Sequence, residues 1–118
     1  MPSIFEATAG KLIGSTTRST VTQTTDKTTA VTINAVSGSI TMAGDQIGAG
    51  SEKTFTVNND KITSTDVVLL NHGSAGTAGK YLMGVSVVAD GSFSITITNV
   101  SSGNLSEAIV INFIAFKG

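Results

Sequence analysis

The feature that most restricts what this 118-residue chain can fold into is a period of two in its apolar side chains. Phe93, Ile95 and Ile97 alternate with Ser92, Ser94, Thr96 and Thr98; Phe55 and Val57 alternate with Thr54 and Thr56. Tyr81, Met83, Val85 and Val87 fall on one face of a third segment. Successive side chains of a strand point to opposite sheet faces, so each segment predicts a strand with one buried and one hydroxyl-bearing face. Threonine and the β-branched aliphatics suit that surface, and helical periodicity is hard to find.

Further strands are predicted around Val31 and Ile33, Ile40 and Met42, Val67–Leu70 and Ala108–Phe116. The run Val67-Val68-Leu69-Leu70 reads as a strand buried on both faces. Asp90-Gly91 reads as a two-residue hairpin turn, which needs positive φ angles. In the last strand Ile109, Ile111 and Phe113 point one way while Val110, Ile114 and Phe116 point the other, so both faces are apolar. Such a strand is either central between two layers or covered by another subunit. Seven strands in about 90 residues, with an eighth available from the N-terminal segment, predict an all-β, jelly-roll-like β-sandwich.

Residues 1–28 read differently. From Ser15 to Thr29 the chain is dominated by threonine, with Val21 as the only large apolar residue. A stretch with so little to bury cannot offset its own ordering entropy, which predicts an extended arm lying as a strand on another surface. Ile4, Phe5, Leu12 and Ile13 form an apolar tip on it. The expected organisation is therefore an arm, 1–28, and a sandwich domain, 29–118.

Composition narrows the function. Charged residues make up 13% of the chain against 40% hydrophobic, the formal net charge is -1 and mean hydropathy is +0.27. Without a basic cluster there is no electrostatic footprint for nucleic acid or an anionic membrane. No apolar run approaches the ~20 residues that span a bilayer, and no secretory signal is visible, which predicts synthesis in a cytoplasm. The absence of cysteine removes disulfides, thiolate metal sites and cysteine nucleophiles. The loop from His72 to Lys80 fails as a phosphate-binding loop, because Ser74 stands where its first glycine belongs and Tyr81 where its metal-binding hydroxyl belongs. His72 is the only histidine, no nucleophile elbow appears, and the eight acidic residues are dispersed. A non-enzymatic protein without cofactor or metal is expected. The triplets at Asn99 and Asn104 read as turn chemistry.

Residues 29–118 resemble a type of small β-rich virion protein of tailed bacteriophages. The resemblance rests on TAVTINAVSGSIT, on Phe55-Thr-Val-Asn-Asn with the following Asp66-Val-Val-Leu-Leu, and on SITITNVSSGNLSEAIVINF. Such proteins look like head decoration, or cement, proteins that sit as trimers outside the capsid. The resemblance therefore implies a capsid-stabilising homotrimer partnered by the major capsid protein. In that setting Ile4, Phe5, Leu12 and Ile13 would anchor the arm, and Ile109, Ile111, Phe113, Ile114 and Phe116 would contribute the subunit interface. The alternative is a fibre or tail-tip module that binds a host receptor or glycan through loops 44–51 and 72–80.

Overall fold

The computed structural model of the protein describes residues 18–118. Its strands are β1 (Arg18–Thr22), β2 (Val31–Thr32), β3 (Ser37–Thr41), β4 (Glu52–Asn58), β5 (Val67–Ser74), β6 (Tyr81–Ala89), β7 (Ser92–Asn99) and β8 (Val110–Phe116). No helix occurs among the described residues, hence none long and apolar enough to cross a membrane. The strands form two four-stranded sheets, ordered β1-β3-β8-β5 and β2-β4-β7-β6. We call them the first and second sheet.

Both sheets are mixed. β1 runs parallel to β3 and β2 parallel to β4, while every other pair is antiparallel. The chain switches sheet at each step from β1 to β6, and strands two apart in sequence over that stretch run the same way. These parallel edge pairs depart from the all-antiparallel pairing of a jelly roll.

The two sheets enclose one core. Ile40, Ile111 and Phe113 of the first sheet meet Phe55, Val57, Phe93, Ile95 and Ile97 of the second, and the rings of Phe93 and Phe113 lie 5.4 Å apart. Phe93, Ile95 and Ile97 are buried as the alternation predicts, with the hydroxyl residues between them turned outward. In β6 the alternation breaks. The register shifts between Val85 and Val87, so Val88 packs on the core and Val87 is exposed. An extra residue in a bulge moves every later side chain to the other face. At the β6–β7 turn only Gly91 has positive φ (84°), so one such residue is enough where the sequence suggested two.

The N-terminal boundary also differs from expectation. Residues 18–28 belong to the sandwich itself: β1 pairs with β3 along its whole length, and Val21 packs against the core. Close approach of β1 requires glycine at position 38, where a Cβ atom would lie 2.6 Å from the Ser19 carbonyl oxygen and 2.7 Å from Ile33 Cδ1. Beyond β1, Lys27 is fully buried and its ammonium donates to the carbonyls of Ala43 and Asp45, with the Asp45 carboxylate 3.6 Å away. A threonine-rich segment is thus ordered by a neighbouring strand and by buried polar contacts, although it has little apolar surface of its own.

Polar groups at the ends of the sandwich are consistently satisfied. Asn59 accepts from the Ala35 and Lys61 amides and donates to the Ala35 carbonyl. Asn99, also fully buried, donates to the carbonyls of Ile47 and Gly103 and accepts from Ser101. Its amide is occupied in turn chemistry, as the sequence suggested. No buried side-chain nitrogen or oxygen among the described residues lacks a partner.

Candidate interaction surface

β8 lies between β3 and β5, so its two faces meet different surroundings. Ile111, Phe113 and Ala115 point inward, and Ile109, just before the strand, is buried with them. Three of the residues expected at a subunit interface, Ile109, Ile111 and Phe113, are therefore sealed in the chain's own core and leave no surface for a neighbour. The other two, Ile114 and Phe116, lie on the outer face, half-buried and exposed respectively. Ile4, Phe5, Leu12 and Ile13 lie outside the described residues.

The outer face of the first sheet is divided along β8. Toward one end Val67 of β5 sits opposite Phe116, and Leu69 opposite Ile114. Val67 and Leu69 are 57% and 52% exposed, which corrects the expectation that β5 is covered on both faces. β5 is an edge strand, and only its inward residues Val68 and Leu70 reach the core. Toward the middle the surface turns polar. Asn112 Oδ1 accepts from Ser39 Oγ at 2.7 Å and from Arg18 Nη2 at 3.1 Å, and the same guanidinium nitrogen donates to Ser39 Oγ at 2.7 Å. A shallow groove of about 370 Å³ joins the two zones, bordered by Arg18, Leu69, Leu70, Asn112 and Ile114.

Sequence reasoning overlooked Arg18, Val67, Leu69 and Asn112. The signal was present in β5: its apolar run passes directly into Asn71 and His72, polar residues that a strand covered on both faces would have to bury.

The outer face of the second sheet bears hydroxyls in rows. Thr54 and Thr96 share a hydrogen bond of 2.8 Å across β4 and β7, and Thr96 donates to Ser86 Oγ at 3.2 Å. Thr–Thr pairs directly opposite each other stabilise neighbouring strands. They also keep the middle of the face wettable without charge.

Several titratable groups are engaged in fixing loops. Glu107 accepts from Tyr81 Oη at 2.7 Å, from Thr77 Oγ1 at 2.8 Å and from the Thr77 amide at 3.1 Å. The Tyr81 and Thr77 hydroxyls hold its carboxyl below the usual range, while burial and then the adjacent Glu107 push the Tyr81 phenol up. His72 Nε2 lies 2.6 Å from the Ala75 carbonyl, and its ring meets Tyr81 edge-on at 5.8 Å. Loop 75–80 is thereby fixed at both flanks. Burial pushes the Lys27 ammonium down against the opposing pull of Asp45. At the opposite end of β5, Lys117, then the Gly118 and Thr63 amides, hold Asp66 well below the usual carboxylate range. Among the described residues no three His, Asp or Glu side chains converge as metal ligands would.

Neither a known family model nor a curated protein matches the chain. Its most distinctive surface is the apolar end of the first sheet's outer face.

Proposed function

We propose that the chain is a non-enzymatic head decoration protein of a tailed bacteriophage, made in the host cytoplasm and bound outside the capsid as a homotrimer. The observation that carries this reading is the uncovered apolar surface of Val67, Leu69, Ile114 and Phe116 on the outer face of the first sheet. A surface of this kind marks a protein–protein contact more readily than a substrate site. Eight strands in two layers match a jelly roll in strand number and layering, and the resemblance of residues 29–118 to phage virion proteins points the same way. The major capsid protein is the partner, with Ile4, Phe5, Leu12 and Ile13 as anchors. Many weakly bound copies bridging neighbouring capsomers suffice to stabilise a shell.

Because β1 belongs to the sandwich, the deletion that tests the anchors must stop at residue 17. Full chain and an 18–118 variant are titrated onto heads that lack the protein. Full occupancy by the first and at least tenfold weaker binding by the second are expected. Equal occupancy removes the anchoring role, and no binding by the full chain removes the decoration role.

The fibre or tail-tip reading is favoured by one observation, the exposed loop 75–80 held in shape by Glu107 and by positive φ at Ala75, Gly76 and Gly79. Immunogold labelling separates the two, as many copies over the head or a few at the tail.

A further inference from the structure

β1 enters the first sheet at its apolar end. Through the strand register, Arg18 lies in one row with Ser37, Ile114 and Leu69, across all four strands. Phe116 and Val67 form the adjacent row on that face toward the end of the sheet, and Thr20, Ser39, Asn112 and Asn71 the adjacent row toward its middle. From Arg18 the strand runs away from the apolar rows, so the sequence before Arg18 joins the sheet beside them. The Arg18 guanidinium is turned toward the middle row, where it donates to Ser39 Oγ and Asn112 Oδ1. The groove of about 370 Å³ between Arg18 and β5 is left with Leu69 and Ile114 in its lining.

The sequence before Arg18 carries matching side chains at a matching distance. Leu12 and Ile13 stand six and five residues ahead of it, joined to β1 by Gly14-Ser15-Thr16-Thr17, which has neither charge nor a large side chain. Neighbouring strands are about 4.8 Å apart, which puts Ile114 about 10 Å and Leu69 about 14 Å from β1 across the sheet. Five or six residues of extended chain reach about 17–20 Å. Gly14 and Ser15 are residue types that turns use.

We infer that in the free chain Leu12 and Ile13 fold back over the first sheet and fill the groove beside Leu69 and Ile114. The covalent link selects this occupant. A short linker holds the two side chains over the groove at an effective concentration of about millimolar, which a partner arriving from solution has to exceed. Withdrawing the four aliphatic side chains from water drives the contact. Binding to a shell exchanges this internal contact for an external one, so the inference neither needs nor opposes the decoration reading.

Methyl NMR on the full chain, without capsid, tests this. Nuclear Overhauser contacts are expected from the Leu12 and Ile13 methyls to those of Leu69 and Ile114. They keep their relative strength when labelled chains are diluted with unlabelled ones, because both sides of the contact belong to one chain. Leu69→Ser abolishes the contacts and returns the Leu12 and Ile13 methyls to unstructured-chain positions, while the core methyls of Ile95 and Ile97 do not shift. Leu12 and Ile13 methyls at unstructured-chain positions in the wild-type protein overturn the inference. Contacts that fade on dilution mark a second copy as their source and overturn it as well, as do contacts that survive Leu69→Ser. No shell enters the measurement, so failure of the decoration reading leaves its result standing.

Discussion

Asp66 shows how a single carboxylate ties the fold to pH. It accepts from the Thr63 amide and hydroxyl and from the Gly118 amide, and forms an ion pair with Lys117. Its folded pKa lies below the unfolded value of about 3.9. The stabilisation is therefore complete above about pH 5 and is lost progressively as pH falls toward the folded value. Asp66→Asn should flatten the decline in the urea midpoint between pH 5 and pH 3 without abolishing it, since Asp26 and Glu107 are shifted in the same direction. An unaltered decline would remove Asp66 from the account. Lys27 illustrates a residue whose role was hidden in the sequence. A lysine among threonines reads as solvated, and nothing nearby in sequence announces the carbonyls of Ala43 and Asp45 that receive it.

Among the elements, β7 was the most legible, because both its neighbours are strands of the same sheet and its two faces meet core and solvent cleanly. The seven strands expected from residue 28 onward are present, though β5 runs on to Ser74 into the segment read as a loop, and β1 forms within the segment read as an arm. What alternation could not resolve was which strands lie at edges. Val67-Val68-Leu69-Leu70 is as apolar as a doubly covered strand, yet its outer side chains are left open by its position beside β8. β8 raises the same ambiguity, and inward Phe113 and outward Phe116 divide it experimentally. Phe113→Ala should lower the unfolding free energy of the monomer by about 3–5 kcal/mol, as expected for a truncated core aromatic. Phe116→Ala should change it by no more than about 0.5 kcal/mol, as at most exposed positions. Equal costs in equilibrium denaturation would mean that β8 does not face the core as described. The candidate surface was half legible for the same reason: Ile114 and Phe116 were recognised, while Val67 and Leu69 were assigned to a core they do not reach.

At the scale of the molecule, the shortage of charge has a spatial pattern. Hydroxyl rows cover the middle of the second sheet, and the polar cluster of Arg18, Ser39 and Asn112 covers the middle of the first. The exposed apolar side chains gather toward the flank of β5 and β6. In the proposed reading the apolar surface of Val67, Leu69, Ile114 and Phe116 is covered in the trimer or on the shell it coats. Cryo-electron microscopy of heads saturated with the full chain tests this most directly. Eight-stranded sandwiches in threefold clusters on the outer surface of the shell are predicted. Bare heads, or density confined to the tail tip, would contradict the account.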